Sequence, residues 1–175
     1  MTAPVIFNSG NVEWYTPPEV IRAVHEILGH IDLDPASSSI ANEIVRAKNF
    51  FSVDDDGLDR NWFGRVYLNP PYSRGLIKKF VDKLLAEYNA GHVQSAVVLV
   101  NAQSDAKWFS SLAQACTGAI FTQGRIRFVQ PDGTPSKHTP TCGQCFFYFG
   151  DDVEKFFSVF EHFGYPVTFF TRQKN

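Results

Sequence analysis

Residues 65–100 read RVYLNPPYSRGLIKKFVDKLLAEYNAGHVQSAVVLV. Arg65-Val66-Tyr67-Leu68 is a short strand that must stop at Asn69, because the two prolines that follow cannot join a sheet ladder. Leu76, Ile77, Phe80, Val81, Leu84, Leu85 and Tyr88 then recur at helical spacing and predict an amphipathic helix. The run 96–100 is wholly apolar, as in a strand buried on both faces of a parallel sheet.

The same alternation extends outward. Upstream, Thr16-Pro17-Pro18-Glu19 predicts a helix start, with Thr16 as cap, Pro17 at the first helical position and Glu19 completing a capping box. Val20, Ile21, Val24, Ile27 and Leu28 continue that helix, and Gly29 ends it. Residues 31–33 read as a short buried strand running into Asp34-Pro35, and 36–60 as mixed, with a loop around Asp54-Asp55-Asp56-Gly57. Downstream, a helix is expected over 105–115 and a strand over 119–121. Two apolar segments, 126–129 and 145–149, flank a turn-rich stretch and predict a hairpin with a long tip. An aromatic-rich helix over 152–163 and a strand over 167–171 complete the reading. Strands alternating with helices predict one doubly wound α/β domain over 1–175, with helices on both faces, a late β-hairpin and no separate target-recognition domain. Ligands of such sheets bind beyond the carboxyl ends of the strands. Asp34-Pro35 and Asn69-Pro70-Pro71-Tyr72 both follow short strands, so both are expected at that edge.

The chain has 175 residues and a formal net charge of −2, so bulk electrostatics will not coat it onto nucleic acid. Any such contact must use a local basic face. Three cysteines, an odd number, argue against a disulfide framework and for a reducing compartment. No apolar run is long enough to span a bilayer, and residues 1–10 lack a signal pattern; a cytoplasmic protein is expected, with no membrane and no obligate protein partner. His138, Cys142 and Cys145 are one ligand short of a structural zinc site, so no metal is expected.

The tetrapeptide Asn69-Pro70-Pro71-Tyr72 carries the chemistry. An aromatic amine is a poor nucleophile because its lone pair is delocalised into the ring. The Asn69 side-chain oxygen and the Pro70 carbonyl can accept its two N–H bonds and favour its sp³-like form. The prolines stiffen the turn, and Tyr72 can stack on the base. This is stabilisation by prearranged dipoles, with no tuned general base. The same device would serve adenine in DNA, adenine in RNA or a protein glutamine amide. A non-catalytic nucleic-acid-binding module would be expected to have lost it.

The ordered set Trp14-Tyr15-Thr16-Pro17, Leu33-Asp34-Pro35-Ala36-Ser37, Asp56-Gly57-Leu58 with Trp62, Asn69-Pro70-Pro71-Tyr72 and Gly124-Arg125-Ile126-Arg127-Phe128 resembles the phage-type DNA N6-adenine methyltransferases, the small Dam family of phages and prophages. The resemblance implies a Rossmann-like sheet, S-adenosylmethionine as donor, and adenine flipped out of double-stranded DNA as acceptor, at a GATC-like site. It implies that Asn69, Pro70, Pro71 and Tyr72 hold the base. Trp14, Thr16 and Pro17 would close over the methionine end of the cofactor. Asp34, Pro35 and Ala36 would form the cofactor loop, with Asp56 and Leu58 near the adenosine. The sequence departs from the wider methyltransferase pattern at Ser37, Ser38 and Ser39, which stand where glycines are usual. Arg74, Arg125, Arg127 and Lys137 are the candidate DNA contacts, and the expected hairpin is the candidate for sequence readout. Lys78 and Lys79 serve equally well as solvated helix charges.

Overall fold

The computed structural model describes residues 15–73, 75–130, 132, 134–136 and 140–169. Among them, seven strands form one sheet: β1 (Leu33–Asp34), β2 (Asn49–Phe50), β3 (Gly64–Leu68), β4 (Val93–Asn101), β5 (Gly118–Thr122), β6 (Gln144–Phe149) and β7 (Gly164–Val167). Their order is β2-β1-β3-β4-β6-β5-β7. β2, β1, β3 and β4 run parallel; β6 is antiparallel to both β4 and β5, and β7 is antiparallel to β5. The helices are α1 (Pro18–Leu28), α2 (Ser39–Val45), α3 (Leu76–Asn89), α4 (Lys107–Ala115) and α5 (Val153–Phe160). No helix among the described residues is long and apolar enough to cross a membrane.

The pleat sorts successive side chains to opposite faces. Val97 and Leu99 of β4, with Phe146 and Tyr148 of β6, pack with α1 and α5. Ala96, Val98 and Val100, with Phe147 and Phe149, pack with α3 and α4. Both faces of the sheet are therefore covered by helices, and residues 96–100 of β4 and 145–149 of β6 are apolar because they lie between the two layers. Removing one of these buried rings costs about 3–5 kcal/mol.

Several expectations are corrected. The late hairpin is absent: 126–129 is not a strand, and Val129 makes only isolated bridges, to Tyr15 and Pro135. The downstream segment is β6, which inserts between β4 and β5. Ile126 and Phe128 are buried while Arg125 and Arg127 are exposed, so the alternation is realised by packing against the α1 layer without a ladder. Thr16 is not a helix cap. Pro17 is the N-cap, without a side-chain cap bond, and Pro18 opens the helix. The first strand is Leu33–Asp34, and the last ends at Val167. The 36–60 region contains a helix, α2, capped by Ser38 Oγ accepting from Ala41 N at 3.1 Å, and the edge strand β2.

Candidate active site

β1 ends at Asp34, β3 runs into Asn69 and β4 ends at Asn101, so parallel topology brings these three chain ends to one edge. A cleft of about 990 Å³ opens there. Asn69, Pro70, Pro71 and Tyr72 line it, facing a wall that includes Asp34, Pro35 and Ala36. Thr16, Asp56 and Leu58 also line it. Pro17 is buried at the head of α1 and is not part of the wall. Arg125 and Arg127 line a separate groove of about 320 Å³, beside Glu19, Gln123 and His162. Trp14, Arg74, Lys137 and His138 lie outside the described residues. Lys78 is engaged by Asp82 one helical turn on.

Asn69 is half-buried and held from one side. Its Nδ2 donates to Thr16 Oγ1 at 3.4 Å, and Thr16 Oγ1 lies 2.7 Å from Tyr67 Oη. With Nδ2 occupied, Oδ1 remains an acceptor without a protein partner among the described residues. Tyr72 is held from the opposite side: its hydroxyl accepts a 2.7 Å hydrogen bond from the backbone N–H of Asn101. The ring of Tyr72 is therefore a fixed wall of the cleft. Burial pushes both tyrosine hydroxyls well above their ordinary pKa, so neither ionises near neutral pH.

Asp34 is buried, 3% exposed, and has no cationic partner among the described residues. Burial is the dominant influence and raises its carboxyl to about 6. The Ala36 N–H, donating to Oδ1 at 3.2 Å, and the nearby Ser37 hydroxyl pull the other way. Ser37 Oγ is itself buried and meets no partner at full hydrogen-bond geometry. A buried carboxylate with no cation beside it and a loosely held hydroxyl favours a cationic, hydrogen-bonding ligand.

The loop after β2 forms the far wall. Phe51 N–H donates to the Asp34 carbonyl at 3.0 Å, and Ser37 N–H to the Phe51 carbonyl at 2.9 Å. The three aspartates divide by role. Asp55 closes the turn, accepting from Ser52 N and Oγ at 2.9 and 2.7 Å, while Asp54 is exposed. Asp56 lines the cleft in a left-handed conformation, φ 49°. A Cβ on Gly57 would strike the Pro35 carbonyl, so the two loops approach as closely as they do because this residue is glycine. Trp62 Nε1 donates to the Gly57 carbonyl at 2.7 Å and pins the loop to the core.

Sequence reasoning missed Asn101, Tyr67, Phe51 and Phe80. Asn101 carried a signal: it is the polar residue that directly follows the wholly apolar run 96–100. Tyr67 did not, since a tyrosine within a strand reads as core.

A family model described as DNA N-6-adenine-methyltransferase (Dam) matches residues 7–159. No curated protein and no solved structure gives a significant match.

Proposed function

This chain belongs to the DNA N-6-adenine-methyltransferase (Dam) family, and from that premise we propose that its cleft transfers a methyl group from S-adenosylmethionine to the N6 amine of an adenine flipped out of duplex DNA. The observation that carries the reading is the held amide of Asn69: Thr16 takes its N–H, which leaves Oδ1 to accept from the incoming amine. The Pro70 carbonyl is the second acceptor. Together they draw the two N–H bonds and localise the nitrogen lone pair. The ring of Tyr72 supports the base face. The excess proton on the methylated nitrogen passes to solvent water after transfer, so no tuned base is needed, and the Tyr67 and Tyr72 hydroxyls, with pKa values held well above the ordinary, stay neutral throughout.

S-adenosylmethionine, when bound, supplies an electrophilic methyl group on a cationic sulfonium. The residues present fit such a group. Asp34 offers a buried carboxylate to its positive charge, and Ser37 Oγ offers a hydrogen-bonding atom. Leu58, Phe51 and Phe80 give an apolar wall for a planar ring, with Asp56 beside it. Arg125 and Arg127, exposed at the neighbouring groove, would hold DNA phosphates. A GATC-like target belongs to the same reading.

A competition experiment tests the acceptor. The protein and labelled S-adenosylmethionine are incubated with methylation-free DNA, RNA and protein together. Label recovered as N6-methyladenine from DNA supports the reading. Label recovered from RNA or from protein glutamine would overturn the acceptor while keeping the chemistry.

A further inference from the structure

Gln144, the first residue of β6, is 1% exposed and does not line the cleft. The other five residues of β6 are apolar, and an apolar side chain would satisfy burial at 144 equally well. The amide instead makes three hydrogen bonds, two of them to distant segments and one to its own approach. Its Oε1 accepts from Ile126 N–H at 2.8 Å. Its Nε2 donates to Asn101 Oδ1 at 3.1 Å and to the Cys142 carbonyl at 2.9 Å. Ile126 lies between Arg125 and Arg127. Asn101 is the cross-strand partner of Gln144, and its N–H holds the Tyr72 hydroxyl.

We infer that Gln144 is a positioning residue, tying the Arg125–Arg127 segment to the Tyr72 wall so that contacts made outside the cleft are registered to the base inside it. The segment has no ladder of its own to fix its place. An unpaired amide in this interior would be costly, which keeps all three bonds formed in the folded protein. Gln144 itself touches no reacting atom and acts through Asn101 and Ile126. The inference rests on the proposed methyl transfer for its purpose but not for its geometry.

Two measurements on the full chain test it. The first is amide hydrogen exchange in the wild-type and Gln144→Met proteins. Exchange at Ile126 and at Asn101 should both accelerate by at least about tenfold, with the central amides of β4 unchanged. Acceleration at neither site, or at Ile126 alone, would overturn the tie. The second is a cycle of single-turnover methylation rates with Gln144→Met, Tyr72→Phe and the double variant. Gln144→Met should slow transfer about tenfold or more through misplacement, with cofactor affinity retained. The double variant should be no slower than the slower single variant, within roughly twofold, because the tie ends at the Tyr72 hydroxyl. Losses that multiply would mean that Gln144 acts elsewhere. If Gln144→Met does not fold, Gln144→Glu is put through both measurements; it keeps the acceptor for Ile126 but sets an oxygen against Asn101 Oδ1 and the Cys142 carbonyl, so exchange at Asn101 should accelerate while Ile126 stays protected, and an unchanged Asn101 would overturn the tie. Absence of transfer by the wild-type protein would defeat the proposed function, and the exchange result would still decide the tie.

Discussion

Asn69 Nδ2 donates to Thr16 Oγ1 across 53 residues of chain, so the segment preceding α1 sets the orientation of the amide after β3. The same Thr16 oxygen is 2.7 Å from Tyr67 Oη, and the three polar groups hold one another. Thr16→Val removes the hydroxyl and keeps the volume. The Tyr67 hydroxyl then loses its partner in the core, and stability should fall by about 1–3 kcal/mol in urea unfolding. Methyl transfer should fall about tenfold, as the amide is no longer held. Thr16→Ser should retain most of both.

Asp34 sets a pH dependence. Its folded pKa is about 6 against an ordinary 3.8, so the folded state binds the proton more tightly. Its contribution to stability is therefore full below about pH 4 and is lost as pH rises through about 6. A cationic ligand prefers the ionised form, so cofactor affinity should rise with pH up to about 6 and then level off. Asp34→Asn should flatten both profiles and weaken cofactor binding. Calorimetric titration between pH 5 and 7.5 checks this; pH-independent binding by the wild-type protein would remove Asp34 from the cofactor site.

Gly57→Ala places a methyl group against the Pro35 carbonyl. The loop must then move outward and strain its Trp62 hydrogen bond. A destabilisation of about 1–3 kcal/mol is expected from the overpacking alone. Cofactor binding should weaken more than DNA binding, because the displaced wall is the one beside Asp34. Separate titrations with each ligand distinguish the two effects.

Arg125 and Arg127 are exposed and their side chains face a groove outside the cleft. Replacing both with alanine should weaken DNA binding and reduce the slope of log affinity against log salt by roughly 2, about one per phosphate contact. Cofactor affinity should not change. An unaltered salt slope would mean that the DNA lies on another face.

The segment from β3 through α3 to β4 was legible in the sequence because each boundary has its own cause. Two prolines end β3, helical spacing fills α3, and a wholly apolar run marks a strand between two layers. Within 124–149 the strand at 145–149 was legible, but its pairing and the conformation of 126–129 were not. Ile126 and Phe128 alternate with arginines as strand residues do, and nothing local distinguishes burial against a helix layer from pairing in a ladder. Insertion of β6 between β4 and β5 is a long-range choice, with Val98 facing Phe147 on one side and Phe147 facing Ala119 on the other. α2 escaped notice because Val45 is its one fully buried residue, too little for a periodic pattern. At the site, the residues with special backbone chemistry were visible. Those that position them, Asn101, Tyr67 and Gln144, become meaningful only when distant segments meet.

The most direct measurement compares wild-type and Asn69→Ala proteins in single-turnover transfer from labelled S-adenosylmethionine to methylation-free DNA, with cofactor binding measured alongside. N6-methyladenine formed by the wild-type protein, and slowed by about 100-fold or more in Asn69→Ala with cofactor affinity intact, is the predicted result. Equal rates in the two proteins would contradict the account, because the amine would then be held by something other than Asn69.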